Sequence, residues 1–180
     1  NNSAITTARK CSVLKIYFRY LALNTKQIDS NPAELLEAPK TTRSLPKHLT
    51  LKDSVELLNS VDGPNKERDY CILTIFLNCG LRLSELCGIN LNDISSDGKL
   101  RVLGKGSKER MIYLNKACVD ALEKYLRVRS LEGIPSEYKN ALFISRNKRR
   151  ISNKTVQHIV YSFLDKAGFG NMGLSTHKLR

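Results

Sequence analysis

Four places in the chain set side chains with usable chemistry where their neighbours restrain them. Arg82 stands three residues before Glu85, one helical turn, so the carboxylate can hold the guanidinium and fix the direction of its fork. A guanidinium offers parallel donors to a phosphate and keeps its charge, which suits an anion that gains charge in a transition state. The same pair on an open surface is an ordinary ion pair of little energetic consequence, and spacing alone leaves both readings open. Lys105 lies in "GKGSKER", between Gly104 and Gly106 at the tip of a hairpin. There it can touch a phosphate or give a proton to a leaving oxygen, although a solvated turn has the same sequence and the Walker spacing GxxxxGK[ST] is missing.

The last residues, "GLSTHKLR", place His177 and Arg180 three apart behind Ser175 or Thr176 as the cap. One face of a helix near its positive N-terminus then carries both, a reasonable phosphate site, while an ordinary helix start has the same pattern. The run "RNKRR" sets Arg146, Lys148, Arg149 and Arg150 just ahead of Ser152, as phosphate contacts or as a solvated loop. His48 and His158 have no partners of this kind and read as structural or surface residues.

These groups need elements to hold them. Apolar residues at helical spacing predict a basic helix from Ala4 to Leu23 with Arg9 and Lys10 on it. Pro32, Pro39 and Pro46 then interrupt regular structure and read as a linker, with a domain boundary near Lys40 to Pro46. Thr50 caps a helix through about Ser60. Lys66 to Cys79 forms a helix that is apolar almost all round, stopped by Gly80, which makes it core. The short helix "LRLSELCG" follows. Period two in "DGKLRVLGKGSKERMIYLN", with Gly98 and Gly104/Gly106 marking turns, then predicts a small antiparallel sheet. Helices from Asn115 to Arg129 and from Ser152 to Ala167 complete the pattern.

Composition narrows the function class. Thirty Lys and Arg against seventeen Asp and Glu give a formal charge of +13, which makes a polyanion the leading partner. Nucleic acid ranks above a membrane surface, because no apolar run nears the ~20 residues of a span. The five cysteines are odd in number and form no CxxC pair, which argues against a disulfide framework and a zinc site and fits the cytoplasm.

The order "CGLRLSELCGINLNDI", "RVLGKGSKERMIYLN", "STHKLR", at these distances, resembles the catalytic domain of the tyrosine recombinases, closest to the Xer type. "NPAELLEAPK" and "LPKHLT" resemble the linker and domain start of that group, so the similarity covers nearly the whole chain. The resemblance implies a mainly α fold with a small three-stranded antiparallel β-sheet. Residues 46–180 would be the catalytic domain, and residues 1–41 the last part of a helical core-binding domain plus linker, with Arg9 and Lys10 facing DNA. It implies that Arg82 is the first catalytic arginine with Glu85 in support, Lys105 the hairpin lysine, His177 the following histidine and Arg180 the second arginine. Lys108, Arg146, Lys148, Arg149 and Arg150 would contact DNA. A further His or Trp and the nucleophilic tyrosine belong downstream of "HKLR". None of the seven tyrosines in the chain occupies that position, so the chain is expected to be truncated at both ends and inactive alone.

The implied chemistry is coherent. Strand transfer to a tyrosine needs an in-line nucleophile, charge stabilisation on the non-bridging oxygens and a proton for the leaving 5′ oxygen. Two arginines and a histidine supply the second and Lys105 the third, with no metal ion or cofactor. Expected partners are a duplex recombination site and other protomers, four on DNA in the complete protein. Chromosome dimer resolution ranks above the integrase of a phage or conjugative transposon. A DNA-binding module without chemistry and, more distantly, an RNA-binding protein remain as alternatives.

Overall fold

The computed structural model describes residues 2–41, 48–104, 106, 108–176 and 179. The chain divides into two compact units, Asn1–Leu45 and Pro46–Arg180. No helix among the described residues is long and apolar enough to cross a membrane.

The first unit is one helix and a tail. In α1 (Ala4–Leu23) the Ser3 hydroxyl accepts from the Thr6 amide at 3.2 Å, closing the N-terminus. The proline-bearing segment that reads as a linker instead folds back on α1 as far as it is described. Asn31 is the reason: its Nδ2 donates to the Lys15 carbonyl at 3.3 Å while its Oδ1 accepts from the Ala33 amide at 2.9 Å, and Ala33 and Cys11 are buried. Ile5, Ile16 and Leu23 stay largely exposed on the helix.

The second unit is built around α3 (Lys66–Cys79), which buries Ile72, Leu73, Ile75 and Phe76. Before it, α2 (Leu51–Asn59) opens with a reciprocal cap: Thr50 Oγ1 accepts from the Asp53 amide at 3.1 Å and Asp53 Oδ2 from the Thr50 amide at 3.0 Å. Gly80, in the left-handed region at φ 57°, ends α3, and Leu81 is fully buried behind it. Then come α4 (Leu83–Gly88), β1 (Lys99–Leu103) and β2 (Glu109–Tyr113). α5 (Lys116–Val128) is capped by Asn115, and α6 (Asn153–Lys166) by Ser152. Leu86, Leu100, Phe143, Val156 and Val160 join α3 in one apolar core, which Leu174 and Leu179 also enter.

The mainly helical fold with a small antiparallel sheet is as the sequence leads one to expect, with one correction. The described sheet has two strands rather than three. β1 and β2 pair with Leu100 opposite Ile112 and Val102 opposite Arg110. In place of a third strand, Ile94 makes a single antiparallel bridge to Leu100. A 3-10 turn over Leu91–Asp93 precedes Ile94, and the chain reverses straight after it, with the Gly98 amide donating to the Ser95 carbonyl at 3.1 Å and Gly98 at φ 75°. Only one residue is left in extended register.

Candidate active site and nucleic-acid interface

The turn that ends α3 presents Arg82. After Gly80, Leu81 plugs the core, and Arg82 begins α4 with extended backbone at φ −71° and ψ 152°. Glu85, one turn on, folds back so that its Oε2 accepts from the Arg82 amide at 2.7 Å and its Oε1 from Arg82 Nη1 at 2.8 Å. The spacing therefore does fix the fork. The carboxylate is inside and the guanidinium outside: the Glu85 side chain is 3% exposed, that of Arg82 47%.

A second guanidinium reaches the same carboxylate. Arg110 donates from Nη1 to Glu85 Oε1 at 3.0 Å and from Nη2 to Oε2 at 2.8 Å, a two-pronged contact across from β2. Each carboxylate oxygen thus accepts two of these hydrogen bonds. The Arg110 contact, with the Arg82 amide and side chain, holds the Glu85 carboxyl down at about 2 against the opposing effect of its burial. Glu85 in turn raises the pKa of Arg110.

Sequence reasoning missed Arg110, and a signal for it existed. Strand alternation puts Arg110 on the face of Ile112, opposite buried Val102, while Glu109 and Met111 point to solvent. A guanidinium on the inward face of a strand needs a buried counter-charge.

The hairpin neck rests on this cluster. The Gly104 amide donates to the Lys108 carbonyl at 2.8 Å. A Cβ at Gly104 would lie 3.3 Å from that carbonyl oxygen, 3.6 Å from Arg110 Nη1 and 3.7 Å from Glu85 Oε1. Gly104 therefore lets the backbone pass close to the charged pair, and Gly106, at φ 74°, turns the loop. Lys105, between them, lies outside the described residues, as do His177 and Arg180. Their neighbours Thr176 and Leu179 are buried, and the Leu179 amide donates to the Ser175 carbonyl at 3.1 Å.

The basic residues separate into two kinds. Arg9 and Lys10 on α1, Lys108 at the hairpin, and Arg146, Lys148 and Arg149 are exposed, and among the described residues none of them makes an ion pair. The turn carrying the last three is tight: the Ser145 amide donates to the Arg149 carbonyl at 2.8 Å and Lys148 sits at φ 58°. Arg150, grouped with them from sequence, is turned inward. Its Nη1 donates to the carbonyls of Cys87 and Ile89, each at 3.1 Å, and its Nη2 to Asn90 Oδ1 at 2.6 Å, so it caps the end of α4. His158 lies exposed on α6.

A family model described as the phage integrase family matches residues 47–180. Tyrosine recombinase XerC of Caldanaerobacter subterraneus subsp. tengcongensis is 51% identical over 180 residues, covering 100% of this chain and 50% of that protein. Tyrosine recombinase XerD of Proteus mirabilis is 35% identical over 180 residues, covering 98% of this chain and 57% of that protein. The chain spans about half the length of the curated relatives it matches. Among solved structures, the Tn1549 transposon integrase (aa 82-397) in complex with circular intermediate DNA superposes with a TM-score of 0.75 at 21% identity, over 98% of this chain and 64% of that one. The crystal structure of XerA recombinase gives 0.64 at 23% identity, over 92% and 63%. At these identities the structural likeness is one of fold. The family model over residues 47–180 and the identity along the whole chain place it: the chain belongs to the phage integrase family, among its Xer-like tyrosine recombinases.

Proposed function

We propose that the full-length protein is a Xer-like site-specific recombinase acting in the cytoplasm on a duplex DNA site. Residues 46–180 supply most of its catalytic domain, and residues 1–41 the end of a DNA-clamping helical domain. The observation that carries this reading is the half-exposed Arg82 fork, directed by a buried carboxylate against which the hairpin neck also packs. In the reaction a tyrosine downstream of Arg180 attacks the scissile phosphorus, its oxygen bonding to phosphorus as the P–O5′ bond breaks. Lys105 gives its proton to the departing 5′ oxygen, and a 3′-phosphotyrosine holds the bond energy until the reverse step rejoins a strand. Arg82, Arg180 and His177 donate to the non-bridging oxygens. Four protomers on paired sites exchange the strands, in the service of chromosome dimer resolution.

The test is strand cleavage by the full-length protein on its recombination site. Arg82→Ala and Arg180→Ala should each lower the cleavage rate by ~10²–10³ with DNA affinity largely kept, because each acts on one phosphate among many contacts. Arg82→Lys should recover little, since one ammonium does not replace the fork. Near-normal cleavage by either alanine variant overturns the assignment.

A further inference from the structure

Arg110 touches the site at Glu85, and the catalytic reading leaves it without work. Both prongs of its guanidinium are committed to Glu85, at 3.0 and 2.8 Å, whereas Arg82 uses one side-chain nitrogen on that carboxylate, at 2.8 Å. The difference separates a group that faces a substrate from a group that holds another in place. Without Arg110, Glu85 is held only from its own turn, by the Arg82 amide and one Arg82 side-chain nitrogen. The two-pronged contact from β2 adds a hold from a second element, because a bidentate guanidinium fixes both carboxylate oxygens in plane.

The strand that supplies this contact also returns from the hairpin tip. Gly104 and Arg110 bracket the loop, and the place of a Cβ on Gly104 is within van der Waals distance of both Arg110 Nη1 and Glu85 Oε1. One buried carboxylate thus joins the turn that presents Arg82 to the neck of the loop that holds Lys105. We propose that Arg110 is a positioning residue: acting through Glu85, it fixes the direction of the Arg82 fork and locks the hairpin neck to it, so that the phosphate-binding arginine and the loop of the proton donor move as one. The proposal rests on the reading of Arg82 as a phosphate-binding arginine.

Other charges near Glu85 do not replace this contact. The cleft beside it carries Asp93, Arg101 and Glu109, and Arg101 is paired with both acids, at 2.9 and 3.4 Å. Removing Arg110 would leave Glu85 buried with Arg82 as its remaining cationic partner. The Arg82 amide and one Arg82 side-chain nitrogen would then be what holds the carboxylate, at 2.7 and 2.8 Å, with no contact from β2 to fix its plane.

The experiment measures single-turnover cleavage and DNA affinity of the full-length protein with Arg110→Met, Arg110→Lys, Glu85→Gln, the Arg110→Met/Glu85→Gln pair, and Arg82→Ala as reference. The expected results are a loss of about tenfold to a hundredfold in cleavage for Arg110→Met at unchanged DNA affinity, and a smaller loss for Arg110→Lys. The pair should be no slower than Glu85→Gln alone, because both changes cut the same connection. Should Arg110→Met fail to fold by circular dichroism, Arg110→Lys carries the same rate comparison. Wild-type cleavage with Arg110→Met or Arg110→Lys, or losses that multiply in the pair, overturns the proposal. Near-normal cleavage by Arg82→Ala overturns the reading beneath it, and the two failures are read from different variants.

Discussion

The cations around Glu85 and those in the turn ahead of α6 are used in opposite ways. At Glu85 two guanidiniums converge on one buried carboxylate, and the direction of each is set by distances of 2.8 to 3.0 Å. In the turn, Arg146, Lys148 and Arg149 stand in solvent, and only Arg150 is tied down, to the carbonyls at the end of α4. The denser run of charge is the less restrained one. A phosphate in a transition state needs donors already aimed, since reorienting them during the reaction raises the barrier. A phosphate in a DNA backbone needs only nearby positive charge, and a flexible side chain supplies that. On the proposed function, restraint and not charge density separates the site of chemistry from the surface of affinity.

The sharpest way to break the comparison is acid. With its carboxyl held at about 2 in the fold against an ordinary 4.5, Glu85 contributes stability that is fully present above pH 4.5 and is lost as the pH falls through 2. At roughly 1.4 kcal/mol per pKa unit, the contribution is a few kcal/mol. Urea unfolding of the chain at pH 5 and at pH 2.5 should show a larger loss of stability for the wild type than for Glu85→Gln. Equal losses would mean that the two arginines do not grip the carboxylate in solution.

A smaller effect separates Arg150 from the residue before it. Arg150→Met leaves the Cys87 and Ile89 carbonyls and Asn90 Oδ1 without these donors, and should lower unfolding stability by about 1–3 kcal/mol. Arg149→Met, in the same run, should stay within about 0.5 kcal/mol of wild type. Equal effects in urea melts would erase the division drawn within the turn.

Much of this was legible in the sequence, and the limits have physical causes. The α1, α3 and α6 spans follow from periodicity, with Gly80 ending α3 and Ser152 capping α6, because helix start and stop are decided by local hydrogen bonding. The Arg82–Glu85 contact follows from the same local rule, three residues on one helix. Arg110 meets Glu85 across 25 residues, a contact set by hairpin register, and only the inward phase of Ile112 in the sequence hints at it. The inward turn of Arg150 was not legible, because a run of like charges carries no sign of which member turns inward. That choice is made by the Cys87 and Ile89 carbonyls, 63 and 61 residues away at the end of α4. The third strand failed for a different reason, since a 3-10 turn and a tight reversal on either side of Ile94 leave no length to pair.

The smallest effect on the fold tests the solvent-facing half of the comparison. Arg146, Lys148 and Arg149 make no ion pair among the described residues, so replacing one should leave unfolding in urea almost unchanged. If each side chain neutralises one backbone phosphate, it releases condensed counterions, and log K falls against log salt with a slope near ~0.9 per contact on duplex DNA. Removing one such contact should therefore flatten the salt dependence of the chain's DNA binding by roughly that amount, equally on specific and unrelated sequences, because a phosphate carries no base information. Fluorescence anisotropy between low and moderate salt measures it. Arg150→Met, adjacent in sequence but bonded inward, serves as the control and should leave the slope unchanged. A slope that moves with Arg150 and not with Arg149 would reverse the assignment and place the DNA on the opposite side of the turn.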